Sequence, residues 1–205
     1  MTPTAAGISS PETQVAELEM RLREEVAARK RLVDVALELS STLDGKKLLQ
    51  LIMALAAELL DAETSSLILV DWDTSELVIE VATGAVGRRA VRQRIPIGVG
   101  IAGWTLANRQ VAIVDDPASD ERFFSDVGES IDFETRNLLA VPLLVKDHAI
   151  GVVEVINKRN GQRFTERDAE LARAFAGLAA VAVDNANIYS ELADAVVTAR
   201  MSYRL

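Results

Sequence analysis

Apolar residues between positions 136 and 189 are spaced in two different ways, and the change of spacing predicts a hairpin running into a long helix. Residues 138–145 and 149–156 are β-rich apolar runs separated by the polar Lys146-Asp147-His148, the pattern of two paired strands. After Gly161 the apolar period lengthens to about 3.6 residues, that of a helix. Thr165 precedes Glu166-Arg167-Asp168. A hydroxyl cap followed three positions later by an acid is a capping-box spacing, here filled by Asp. Leu171, Leu178, Asn185, Leu192 and Ala199 then recur every seven residues, with Phe175, Ala182, Tyr189 and Val196 alongside.

The amino-terminal part predicts two more helices. Over residues 12–43, Val15, Leu18, Leu22, Glu25, Arg29, Leu32, Ala36, Leu39 and Leu43 alternate at spacings of three and four. That is a coiled-coil seam, with Glu25 and Arg29 as a polar interruption that fixes register. A helix packed only on its own domain shows a wider stripe. Asp44-Gly45 breaks this helix, and Leu48, Leu51, Ile52, Leu55 and Leu59 give the next one the broad apolar face of a helix lying on a sheet. Residues 66–71 and 77–83 follow as strands joined by a turn at 72–76. Asp71 and Asp73 look like the opening of a calcium loop, but the required glycine and closing glutamate are missing, so a hairpin turn is expected.

Residues 84–93 form a connector rich in arginine (Arg88, Arg89 and Arg92, with Arg94 just beyond), either an anion contact or a solvated turn. Gly98, Gly100 and Gly103 then satisfy the GxGxxG spacing of a dinucleotide site, between a strand at 94–97 and another at 111–114 that runs into Asp115. The intervening helix, 101–108, is too short for a parallel crossover, which needs about a dozen residues. Pro96 also suits an edge strand. The glycines are therefore expected to form a flexible entry to a short helix whose amino end faces a ligand. Residues 115–133, DDPASDERFFSDVGESIDF, are acidic, irregular and studded with aromatics, as in a lid over a binding site; a solvated loop pinned by Phe123 or Phe124 is the alternative.

Composition removes several functions. The chain has 205 residues and a 49% hydrophobic share, enough to fill a core. A formal net charge of −9 and a 4% aromatic share disfavour attraction to phosphate backbones and base stacking, so no nucleic acid partner is expected. The absence of cysteine excludes disulfides, thiolate metal sites and thiol nucleophiles. No zinc spacing, P-loop or nucleophile elbow appears, so neither a metal site nor an enzyme is expected. The start MTPTAAGISSPET has no secretion-signal pattern, and no run reaches the ~18 apolar residues of a membrane helix. The chain is expected to be cytoplasmic and free of the membrane.

With its elements in this order, the chain resembles the GAF family of small-molecule sensor domains over about residues 44–189. The resemblance is carried by IPIGVGIAGWTLANRQVAIVDDPASDERF, by TRNLLAVPLLVKDHAIGVVEVINK and by FTERDAELARAFAGLAAVAVDNANIY. It implies an α+β fold: a GAF/PAS-like central antiparallel sheet with helices on one face, a ligand pocket under loops on the other, and long N- and C-terminal helices. Cyclic-nucleotide-binding members carry Asn-Lys, a spacer, Phe, three residues and Asp-Glu. Asn157, Lys158, Phe164 and Asp168 match, but Ala169 follows Asp168 and the nearest acid is Glu170. A cyclic nucleotide is thus a candidate ligand resting on an incomplete motif, and a Lys158–Asp168 pair tying strand end to helix start is the structural reading. Family members that reduce methionine sulfoxide or attach bilins use cysteines, which are absent. Haem-binding members use an axial ligand such as histidine, and the lone His148 falls in the hairpin turn, so no cofactor is predicted.

These readings divide the chain into a disordered start (1–11), a coiled-coil helix (12–43), a GAF domain (44–190) and a helical extension (191–205). Candidate ligand contacts are Ile101 and Trp104 on the short helix, Asp115 and Asp116 at its exit, Phe124 in the lid, Arg136 and Asn137 before the hairpin, and Glu154. Arg136 suits an anion and Trp104 a flat ring; Glu154 interrupts an apolar strand between Val152 and Ile156. Two functions follow: a sensor that binds a small molecule and signals through dimeric helices to a separate output protein, or a ligand-free dimerisation and docking module.

Overall fold

The computed structural model describes residues 11–41, 45–84, 87–124 and 133–202, without the side chains of 11, 12, 24, 38–41, 46, 88 and 189–202. The expected disordered start, the end of the first predicted helix with Leu39 and Leu43, the middle of the expected lid, and the later heptad positions Tyr189, Leu192, Val196 and Ala199 lie outside what is described.

Helices α1 (Pro11–Ser41) and α2 (Gly45–Leu59) lead into strands β1 (Ala62–Asp71) and β2 (Glu76–Ala82). A one-turn helix α3 (Gly87–Ala90), strand β3 (Arg94–Pro96), helix α4 (Gly100–Asn108) and strand β4 (Ala112–Val114) follow. Strands β5 (Leu138–Val145) and β6 (His148–Lys158) form the expected hairpin, and α5 (Glu166–Ser202) closes the described chain. The sheet order is β3-β2-β1-β6-β5-β4, with every neighbouring pair antiparallel. This is the expected antiparallel α+β architecture. It also disposes of the dinucleotide pattern: β3 and β4, which flank α4, lie on opposite edges of the sheet, so no parallel crossover exists there.

Local differences from the sequence reading have physical causes. β1 begins at Ala62 because its polar first half is held by partners on both sides. Thr64 and Ser65 pair with Ile156 and Val155 of β6, Ser65 Oγ donates to Met53 O of α2 at 2.7 Å, and its N–H donates to Thr83 Oγ1 at 3.0 Å. The turn after β1 is organised by Asp71, whose carboxylate accepts from the backbone of Asp73 and Thr74. Arg94 bridges Asp71 at 2.9 Å and Glu76 at 2.8 Å. Hydrogen bonding from Arg94, then from the Thr74 backbone, holds the Asp71 carboxyl below the usual range. One arginine of the connector thus closes a hairpin.

The two faces of the sheet bury different residues. Leu139, Val141 and Leu143 of β5, Val153 and Val155 of β6, and Leu67 of β1 point to the helices, where Ile52, Met53 and Ala56 of α2 and Phe175 of α5 meet them. Ala169, Ala172, Ala176 and Ala179 are buried along α5, and side chains this small let its backbone lie close to β5. The alternate positions, Ile68, Leu77, Ile79, Leu138, Ala140 and Val152, cluster with residues of α3, α4 and the edge strands β3 and β4. This alternation is what a strand with both faces covered requires.

α1 divides along its length. Val35 is buried and Leu32 packs against the helix-side core, whereas Leu18 and Leu22 are 64% and 61% exposed, together with Val15, Met20 and Val26. Glu25 and Arg29, the polar interruption, pair with each other at 2.6 Å.

Candidate functional site

The opposite face of the sheet does not close completely. A cavity of about 100 Å³ lies between β1, β2, β6 and the segment running from β3 through α4 to Phe124. At ~10–15 Å³ for one water, this has room for a small organic molecule. Its floor is Ile68, Ile79, Leu138 and Ile156; Ile95, Val99, Ile101 and Ala102 form one wall, and Phe123, Phe124 and Phe133 another. Thr64, Ser66, Thr135 and Glu154 are its polar residues, whereas Ser65, which also lines it, turns its hydroxyl to Met53 O of α2.

Glu154 sits on the central strand, level with Ser66 of β1 and Ala140 of β5. Its side chain is partly buried and lines the cavity. Removal from bulk water raises its pKa from the ordinary 4.5 to about 7, against a smaller lowering from Ser66. The Ser66 hydroxyl is 3.5 Å from Oε2, at the outer limit of a hydrogen bond. Desolvation is the dominant cause, and no described cation is hydrogen-bonded to the carboxyl to repay it.

The glycines of the GxGxxG pattern shape the entrance. Gly98 and Gly100 have φ of +88° and +75°, the left-handed region that favours glycine. A Cβ on Gly103 would stand 2.7 Å from the carbonyl carbon of Gly98. The motif therefore folds the chain tightly back as it enters α4, placing Gly100 and Ile101 on the cavity wall.

The cavity gathers three of the residues singled out from sequence: Ile101, Phe124 and Glu154. The other five lie elsewhere. Trp104 sits on an adjoining depression, with the Arg122 guanidinium 4.5 Å from its ring centroid. Arg122 also pairs with Asp120 at 2.6 Å, and that hydrogen-bonded partner keeps the Asp120 carboxyl below its usual range. Asp115 is exposed and pairs with Arg163 at 3.1 Å. Asp116 is exposed, and its carbonyl accepts from Ser119 Oγ. Arg136 pairs with Glu63 at 2.6 Å. His148, the lone histidine, is exposed at the start of β6.

Asn137 belongs to a polar knot beneath the cavity. Its side chain accepts from the Lys158 backbone at 2.9 Å and donates to Gln162 O at 3.2 Å. Asn157, fully buried, accepts from the Arg136 backbone at 2.8 Å and donates to Glu63 and to Glu134 O. Lys158 reaches Asp168 at 2.6 Å and lies 5.5 Å from the centroid of the buried Phe164 ring. Asp168 also accepts from Thr165 N–H at 2.8 Å, while its own N–H donates to Thr165 Oγ1 at 3.3 Å, completing the capping box. The four motif residues thus join β6, the approach to β5 and the start of α5.

The sequence reading missed Thr64, Ser66 and Thr135. The available signal was the register: once β1 pairs with β6, Ser66 and Thr64 fall on the same face as Glu154.

Among the described residues no helix is long and apolar enough to cross a membrane. Solved structures with this fold include a GAF domain of a phosphoenolpyruvate-protein phosphotransferase from Coxiella burnetii, with a TM-score of 0.72, 17% identity, and coverage of 80% of this chain and 96% of that one. A free methionine-R-sulfoxide reductase from Neisseria meningitidis, solved with its substrate, gives 0.67 at 22% identity, covering 79% and 91%. The GAF-B domain of DevS from Mycobacterium smegmatis gives 0.59 at 23%, covering 73% and 99%. Among curated proteins, a probable 3′,5′-cyclic phosphodiesterase of Caenorhabditis elegans is 29% identical over 152 residues, 69% of this chain. A dual 3′,5′-cyclic-AMP and -GMP phosphodiesterase of Takifugu rubripes is 24% identical over 172 residues, 79% of this chain. The chain spans only about a fifth of the length of these two relatives, 20% and 19%. Residues 44–183 match the GAF domain family. With more than half its length matched, and with the sheet, helices and cavity described above, the chain belongs to the GAF domain family.

Proposed function

We propose that the chain is a non-catalytic, cytoplasmic sensory module. A small molecule enters the cavity between the sheet and α4, and the helices carry the consequence to a separate output protein. The observation that carries this reading is the cavity itself: an apolar chamber with a desolvated acid at its centre, on the face of the sheet away from the packed helices. Residues 44–190 are the sensing body, flanked by the extensions 12–43 and 191–205. The exposed Val15, Leu18 and Leu22 of α1 are the seam through which two copies pair, and α5 is a second dimer contact. A ligand changes the output only by favouring one packing of these helices over another.

The phosphodiesterase relatives make cyclic AMP and cyclic GMP the first ligands to test. The cavity fits them poorly, because no arginine or lysine among the described side chains lines it to meet a phosphate. A thermal-shift screen of small molecules that includes both nucleotides tests the sensor; flat melting curves throughout would count against it. The second reading, a ligand-free docking module, is favoured by the exposed α1 seam alone. Under either reading Leu18→Glu with Leu22→Glu yields a monomer by sedimentation, and an unchanged profile removes the seam from the account.

A further inference from the structure

The cavity's chemistry narrows what it accepts. Glu154 is the one charged side chain among the described lining residues. A carboxylate has about four acceptor sites, yet Glu154 has one long contact, from Ser66 at 3.5 Å, and faces Ala140 on its other side. Such a group, aimed into a chamber and short of donors, calls for a donor from outside. Phe123, Phe124 and Phe133 line the same chamber, and aromatic rings draw cations as well as apolar bodies.

Nearby cations are committed elsewhere: Arg122 to Asp120, Arg136 to Glu63 and Lys158 to Asp168. The sequence of residues 125–132, SDVGESID, adds no lysine or arginine. Once Glu154 is ionised, above about pH 7, an anion in this chamber would meet a carboxylate with no cationic side chain among the described lining residues to offset the repulsion. Building on the reading of the cavity as a small-molecule site, we infer that its ligand is a compact amine with an apolar body, its ammonium held by Glu154 and its body against the phenylalanines and isoleucines.

Three probes of one shape and different charge test this: benzylamine, benzyl alcohol and benzoate, with cyclic AMP alongside. Each is titrated into the full chain labelled at isoleucine methyls. Ile68, Ile79, Ile101 and Ile156 report the cavity, and Ile52, packed on the helix face, serves as the control. Benzylamine is expected to shift the cavity methyls with about tenfold or greater preference over benzyl alcohol, the difference a charge-assisted hydrogen bond makes. Benzoate and cyclic AMP are expected to leave them in place. Glu154→Gln keeps the shape and removes the charge: it should abolish the preference for benzylamine while benzyl alcohol binds as before, which shows the cavity intact. Preferred binding of benzoate or cyclic AMP, or benzylamine binding indifferent to Glu154→Gln, overturns the amine while leaving the sensor reading standing. If no probe of any charge moves the cavity methyls at millimolar concentration, both fall.

Discussion

The two faces of the sheet share strands and differ in purpose. On the helix face Leu139, Val153, Val155 and Phe175 interlock with α2 and α5 and are essentially inaccessible. One residue along, on the same strands, Ile156, Glu154 and Ser66 border an incompletely filled chamber. A sheet built only for stability would fill both sides, since burial of apolar surface is the main favourable term. The retained space and the desolvated acid on the second face are the observations on which the proposed ligand site rests.

That contrast sets the size of mutational effects. The largest belongs to the packed face: Phe175→Ala is expected to cost about 3–5 kcal/mol in urea denaturation, the range for a deleted core aromatic. A loss below about 1 kcal/mol would mean that this face is no better packed than the other. Glu154→Gln works in the opposite direction. The Glu154 pKa is higher in the folded chain, about 7, than the ordinary 4.5. The folded state therefore holds its proton more tightly, and stability falls as pH rises from about 4.5 to 7. The variant, with no proton to lose, should match the parent near pH 4 and exceed it above pH 7 by at most about 3 kcal/mol. Equal stabilities at pH 8 would show that the carboxyl is not desolvated.

The joint between the faces comes next. Asp168→Ala removes a mostly buried ion pair, with side chains 11% and 16% exposed, together with the capping box. A loss of about 2 kcal/mol is expected, with Asp168→Asn losing less because its carbonyl oxygen still accepts from Thr165. The smallest effect is at the surface. Arg94→Ala, which opens the Asp71 and Glu76 pairs, should cost under about 1 kcal/mol, because exposed ion pairs contribute little. A larger loss would mean that the β2–β3 edge helps support the cavity wall.

What the sequence revealed follows the same divide. The helix face and the joint rest on local periodicity and capping: the β5–β6 hairpin, the break at Gly45 and the Thr165–Asp168 cap all appear in consecutive residues, and the Lys158–Asp168 pair lies within one connection. The cavity face depends on register and on distant segments. Glu154 was visible because an acid between Val152 and Ile156 is anomalous in any strand. The sequence pattern starts the strand at Ser66, and only pairing with β6 brings Thr64 into it and sets both residues on the face of Glu154. Trp104 illustrates the limit in reverse. On a helix of nine residues, sequence alone does not decide which side faces the sheet, and the structure turns its ring toward Arg122. The one-turn α3 was illegible for a related reason: it is held against β2, where a Cβ on Gly87 would stand 2.1 Å from Ala82 O.

One face of this sheet keeps a desolvated acid with a single long hydrogen bond in a cavity. Carboxyl-carbon NMR of the selectively labelled glutamates, with Glu154→Gln to assign the signal, measures this directly. A Glu154 midpoint near 7 is expected. A midpoint near 4.5 would place the carboxylate in ordinary solvent and contradict the account.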